Sequence, residues 1–192
     1  FSEANDFYTN TKTEQERLID KYGIPFTVLR PTLMFGWFDR KHLGWLSRFL
    51  KRSLIFPIPG DGKYIRQPLY VGDFCKIIES CIFNKKVNMR FNISGLDKIY
   101  YIDLIKMLKS ASKGKSYILK IPYILFWILL KVYSLFSSNP PFTTSQLEAL
   151  VIPEEFEIID WPSIFKINST SLEAALNETF NDEKYSNIIL KF

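Results

Sequence analysis

The feature that most limits the fold of this chain is a helix that stops at a glycine and is followed at once by a buried strand. Residues 6–22 follow a helical pattern with Glu14, Glu16 and Arg17 on its polar side. Gly23 closes that helix, since glycine enters the left-handed C-cap conformation without a Cβ clash, and Pro25 forbids continuation. Phe26-Thr-Val-Leu-Arg30 is then β-branched and apolar between Pro25 and Pro31, the pattern of a short buried strand. Helix, glycine and buried strand form the αβ half of a βαβ unit.

The rest of the chain continues the alternation. Helical spacing covers residues 44–53, 73–83 and 101–111, while residues 67–70 and 87–93 read as strands. The run Phe56-Pro-Ile-Pro-Gly-Asp-Gly62 is read as loop because of its prolines and glycines. Residues 121–130 hold no charge and lie between Lys120 and Lys131. A bilayer-spanning helix needs about 20 apolar residues, so this stretch is too short to cross. A buried core helix is expected there, with an interfacial or partner-facing helix as the alternative. Residues 137–141 read as a linker, and helices are expected over 143–151 and 169–176, each opening on capping residues.

Composition removes several function classes. His42 is the only histidine, which leaves almost no material for histidine metal sites or a Ser-His-Asp triad. The net charge is +5, but the basic residues are scattered. The densest groups, Arg48-Lys51-Arg52 and Lys113-Lys115, are not interleaved with stacking aromatics, so nucleic acid is not the expected partner. A phosphate-bearing small ligand fits the charge equally well. Cys75 and Cys81 are six apart in one expected helix, which puts them on different faces and argues against a disulfide between them. Reduced cysteines fit a cytoplasmic protein. The opening Phe1-Ser2-Glu3 has no signal-peptide pattern, and the chain reads as a fragment or a processed product.

Tyr8 and Lys12 form Tyr-x-x-x-Lys, four residues apart and therefore on one face of a helix. A phenol titrates near pH 10, and a nearby ammonium favours the phenolate, which brings it toward acid–base work at neutral pH. The same lysine can donate hydrogen bonds to ribose hydroxyls. Chance alone yields about one such pair in a chain this rich in Tyr and Lys, so the spacing gains meaning only from its context.

That context is an ordered series. Tyr8-Thr-Asn-Thr-Lys12 is followed by Gly23, by Arg30-Pro31-Thr-Leu-Met-Phe-Gly36, by Gly60-Asp61-Gly62, by Arg66, by Tyr70-Val71-Gly72-Asp73 and by Phe91-Asn-Ile-Ser-Gly95. Order and spacing over residues 7–95 resemble the extended short-chain dehydrogenase/reductase family, the NAD-dependent epimerases and dehydratases. Pro122, Thr143-Thr-Ser-Gln-Leu147 and Ser171-Leu-Glu-Ala-Ala-Leu176 more loosely resemble its atypical branch, related to the NAD(P)-binding accessory subunit of respiratory complex I.

The resemblance implies an α/β fold, here the C-terminal portion of a doubly wound Rossmann-type sheet plus a small, mainly helical substrate domain. Residues 1–36 and 65–95 would be the last elements of the dinucleotide-binding domain, and residues 37–64 and 96–192 the substrate-binding domain. It implies NAD or NADP as cofactor, a nucleotide-sugar as substrate and hydride transfer as the reaction. Tyr8 would be the acid/base and Lys12 its partner and the ribose anchor. Pro31, Thr32 and Leu33 would lie by the nicotinamide, and Arg66 would meet the substrate's phosphate. Gly60 and Gly62 either shape a turn or approach a ligand, and Asp73 is expected to cap the following helix. No Gly-x-Gly-x-x-Gly occurs among the eight glycines, so the isolated chain is expected to bind cofactor poorly and to be inactive. A homodimer fits the resemblance, and a peripheral contact with the inner membrane fits the rival reading, a non-catalytic accessory subunit of a membrane-associated complex.

Overall fold

The computed structural model describes residues 7–23, 25–84, 88–136 and 142–186, with side chains from Asn10 onward. The chain opens with α1 (Phe7–Tyr22), β1 (Thr27–Pro31), β2 (Met34–Phe35), α2 (His42–Arg52) and β3 (Ile55–Pro59). Next come β4 (Ile65–Arg66), β5 (Leu69–Tyr70), α3 (Val71–Phe83), β6 (Met89–Ile93) and β7 (Ile99–Tyr100). The remainder is α4 (Tyr101–Ala111), β8 (Tyr117–Ile121), α5 (Tyr123–Phe136), α6 (Thr144–Val151), α7 (Trp161–Phe165), α8 (Leu172–Asn181) and α9 (Glu183–Ser186). Asp6, Val87 and the expected linker at 137–141 lie outside the described residues.

The opening αβ unit forms as its sequence predicts, except that β1 is half-buried rather than buried. Gly23 takes the positive φ of 60° that ends α1, and β1 pairs in parallel with β6, Leu29 opposite Phe91 and Arg30 opposite Asn92. Because side chains alternate along a strand, the pair has two unlike faces. Leu29, Phe91 and Ile93 join a core with Ile77 of α3 and with Trp161 and Phe165 of α7. The opposite face carries Arg30 and Arg90, which meet α1 through ion pairs. Helices therefore lie on both sides of a parallel pair, the layer order of an α/β sheet.

A larger core holds the remainder together. Leu50 of α2, Ile58 of β3, Leu104, Ile105 and Leu108 of α4, and Leu176 of α8 are all essentially inaccessible to water. Each such side chain contributes roughly 1.5–3 kcal/mol by leaving solvent.

Two expectations give way here. The Pro-rich run 56–62 is a strand in its first half: β3 pairs in parallel with β8, with Pro57 opposite Leu119 and Pro59 opposite Ile121. This sheet has only two described strands. A proline, which lacks an N–H, is tolerated because only one edge of β3 is paired. Gly60 and Gly62 then make the turn, both at positive φ. A Cβ at Gly62 would come within 2.7 Å of Ile58 and 2.8 Å of Ile102, so packing demands glycine there. The second correction concerns α5. None of its residues is buried, and it lies outside both cores. Among the described residues, no helix is long and apolar enough to cross a membrane.

Candidate active site

Ion pairs fix the placement of α1 against the sheet. Arg30 of β1 donates to both oxygens of Glu16, Nε to Oε1 at 2.8 Å and Nη2 to Oε2 at 2.5 Å. Arg90 of β6 reaches Asp20 at 2.6 Å and Glu16 at 3.3 Å. Asp20 thus pairs at the level of the Val28–Arg90 rung, and Glu16 at the level of the Arg30–Asn92 rung. One helical turn toward the N-terminus matches two strand residues toward the C-terminal end, about 6 Å each way. The helix therefore runs antiparallel to its strand, and Lys12 lies one turn beyond Glu16 in the direction of the C-terminal end of β1.

Lys12 is exposed and its ammonium donates to Gln15 Oε1 at 3.3 Å. The backbone of Tyr8 is in α1, one turn before Lys12; its side chain lies outside the described residues. Pro31 is exposed and ends β1, while Thr32 donates its N–H to Ile93 O at 2.9 Å. Leu33 O accepts from Leu69 N at 3.0 Å, which carries the chain from β1 to the β2–β5 pair. Glu16 stands one turn beyond Lys12 and is the residue that sequence reading passed over as merely polar. The repeated four-residue interval, from Tyr8 through Lys12 to Glu16 and Asp20, was the available signal.

The Arg30 guanidinium bonded to Glu16 holds its carboxyl below the usual carboxylate range, with Arg90 assisting. A carboxyl whose folded-state pKa is depressed stabilises the fold fully above its unfolded value, here near 4.5. That contribution disappears as pH falls through the lowered value. Glu16→Gln is accordingly expected to lower the urea midpoint at pH 7, with the gap from wild type closing well below pH 4.5. A gap that persists unchanged in acid would show that the ion pair does not hold α1.

Arg66 has partners other than the expected phosphate. Its side chain is only 6% exposed, and its guanidinium donates to the main-chain carbonyls of Ile65 and Ile152, at 2.8 and 2.9 Å, and to that of Leu150. Glu154 lies 3.8 Å from Nε, and the rings of Tyr64 and Tyr101 lie beside it. These contacts pin the end of α6 and the segment after it onto β4. The neighbouring Gln67 continues the same work, since its amide donates to Gly95 O at 2.7 Å and accepts from Phe156 N at 2.8 Å.

The later pieces of the ordered series meet around one cavity of about 400 Å³, with Phe35, Tyr70, Asp73, Gly95, Trp161 and Thr170 among its walls. Gly36 packs so tightly on this side that a Cβ there would sit 2.1 Å from Val71. Asp73 does not cap α3, whose N-cap Tyr70 makes no side-chain cap bond. Its carboxylate instead accepts from Thr170 N at 2.8 Å, Thr170 Oγ1 at 2.7 Å and Lys76 Nζ at 2.8 Å, and so holds the lead into α8. Trp161 donates its indole N–H to Ser94 O at 3.0 Å. Among the described side chains, none of Lys12, Pro31, Thr32, Leu33 or Arg66 lines this cavity. The cavity and the C-terminal end of β1 are distinct places in the fold.

A parallel αβ unit, ion-paired to its helix and joined to a mostly helical lobe, defines a Rossmann-type α/β protein. Residues 3–94, just under half the chain, match the model of the NAD dependent epimerase/dehydratase family, the family that the ordered motifs resemble. No curated protein matches the chain. Among solved structures, UDP-glucose 4-epimerase of Thermotoga maritima is similar at 19% identity and a TM-score of 0.60, over 90% of this chain and 50% of that one. The dTDP-glucose 4,6-dehydratase of Bacillus anthracis is similar at 16% identity and a TM-score of 0.59, over 93% and 52%. An epimerase of Methanothermobacter thermautotrophicus is similar at 12% identity and a TM-score of 0.62, over 88% and 46%. The chain thus spans about half the length of these structures. The likeness of the C-terminal half to the complex I accessory subunit finds no support in them.

Proposed function

We propose that this chain supplies the acid–base and substrate-side part of an NAD(P)-dependent enzyme that epimerises, dehydrates or reduces a nucleotide-linked sugar. The observation that carries the reading is the direction of α1 against β1, set by Glu16 on Arg30 and Asp20 on Arg90, which points the turn bearing Lys12 toward the C-terminal end of β1. The family match over the same residues supports it, as do the NAD and UDP-glucose named for the similar solved structures. On this reading residues 1–36 and 65–95 belong to the dinucleotide-binding half, and 37–64 and 96–192 to the substrate side.

The residues present fit one end of the cofactor. Lys12, with three N–H donors, suits ribose hydroxyls, and the strand end at exposed Pro31 and half-buried Thr32 and Leu33 suits a flat ring laid beside it. The eight glycines contain no pyrophosphate cradle, so sequence beyond these 192 residues would hold that part. When bound, the nicotinamide takes up and returns hydride. Tyr8 moves a proton between its hydroxyl and the reacting sugar oxygen, and the ammonium of Lys12 favours the phenolate that makes this transfer fast. The cavity walled by Tyr70, Asp73 and Thr170 receives the substrate, and Arg66 acts structurally, holding the 150–154 segment on β4.

The test is NAD binding by calorimetry, in the protein that carries this chain together with a Gly-rich cofactor loop. Lys12→Ala is expected to weaken binding by about tenfold, or about 1.4 kcal/mol. Unchanged affinity would make Tyr8 and Lys12 an ordinary surface pair and would remove the proposal's foundation.

A further inference from the structure

Helix α5 contradicts its own composition. The sequence Tyr-Ile-Leu-Phe-Trp-Ile-Leu-Leu-Lys-Val-Tyr-Ser-Leu-Phe is apolar almost all round, and such a helix is normally enclosed by protein or lipid. Here none of its 14 residues is buried. Ile124 is 72% exposed, Leu135 78% and Phe136 85%. Its described contacts are confined to one flank: Trp127 donates to Glu148 of α6 at 3.2 Å, and Phe126 stacks on Phe142. The strand leading into it, β8, turns Tyr117 and Leu119 outward as well, beside the exposed Leu54 and Ile55 at β3. An apolar surface of this extent marks an interaction site.

Charge identifies the occupant. Residues 104–147 contain six lysines and not one acid, whereas the rest of the chain carries 19 basic and 20 acidic residues. The whole positive excess of the molecule is therefore concentrated in the segment that holds α5. Lys120, just before the helix, and Lys131, within it, are exposed, as are Lys113 and Lys115 ahead of β8. A second copy of this chain docking through the same face would bring lysines against lysines. An anionic bilayer surface answers both features at once, taking the apolar side chains into its acyl boundary and the ammonium groups at its headgroups. Tyr123, Trp127 and Tyr133 are of the type that settles at that boundary. Fourteen residues make a helix about 21 Å long, short of the roughly 30 Å hydrocarbon core, so the helix lies in the surface and does not span it.

We infer that α5 is a membrane-surface helix, through which this chain docks on anionic phospholipid. This inference is independent of the catalytic reading, because it uses no residue of the candidate active site. The experiment is co-sedimentation of the chain with vesicles of phosphatidylcholine, alone or mixed with phosphatidylserine. Binding to the phosphatidylserine vesicles is expected to be tighter by about tenfold and to weaken with salt. The double variant Ile124→Asp/Leu135→Asp is expected to lose at least about tenfold of that binding. Both positions are exposed, so circular dichroism should stay unchanged. Lys120→Gln/Lys131→Gln is expected to lose the phosphatidylserine preference alone. Three results would overturn the inference: no vesicle binding by the wild type, full binding by the Asp variant, or reversible self-association that the Asp variant abolishes without any vesicle binding.

Discussion

Tyr8→Phe is expected to lower turnover by about 10²- to 10⁴-fold while leaving the fold and the affinity for NAD nearly intact. That range is what a positioned general acid or base contributes. The substitution removes one oxygen and leaves the ring, so helix α1, which spans Tyr8, has no reason to unwind. Its hold on the sheet is made further along, by Glu16 and Asp20 to Arg30 and Arg90. The assay belongs in the protein that joins this chain to a Gly-rich cofactor loop, with UDP-glucose as the first substrate tried, because one similar solved structure is named for it. Lys12→Ala, by contrast, should affect binding and turnover together, since in the proposed site one ammonium serves both ribose and phenol. A Tyr8→Phe protein that turns over like the wild type would end the acid–base assignment.

Arg66→Ala should act on stability. The guanidinium is enclosed, and it satisfies the carbonyls of Ile65, Leu150 and Ile152. A buried carbonyl that loses its donor costs about 1–3 kcal/mol, and water entering the emptied space would recover part of this. A net loss of about 3 kcal/mol is expected, which for a domain of this size lowers Tm by roughly 6–12 °C. Differential scanning calorimetry measures it directly. Arg66→Lys should recover little, since one ammonium cannot reproduce a planar fork aimed at several carbonyls. The opposite result, an unchanged Tm with a large loss of UDP-sugar affinity, would return Arg66 to the phosphate-binding role that the motif resemblance implies.

Some parts of this protein were legible from residues alone because they rest on local rules. The stop at Gly23, the existence of a strand between Pro25 and Pro31 (though not its burial), the capping box at Thr143 with Gln146 and the helix over residues 101–111 all follow from backbone preference and nearby side chains. The Tyr8–Lys12 interval is of the same kind, since helical periodicity fixes it without reference to the rest of the chain.

Other features depend on partners far away in the sequence. The motif resemblance implied a phosphate-binding role for Arg66, and only folding brings Leu150 and Ile152 to it. Asp73 looked like a helix cap because it opens a helix, yet Thr170, 97 residues on, takes its oxygens. The strand β3 was hidden by its prolines because parallel pairing needs β8, which lies some 60 residues away. Helix α5 was expected in the core because its composition asks for burial, and which surfaces a chain covers is settled by global packing. What the sequence determined by itself was the αβ frame and the spacing of its chemistry. The tertiary structure alone decided which polar groups are consumed in holding the fold and which apolar face is left for something else.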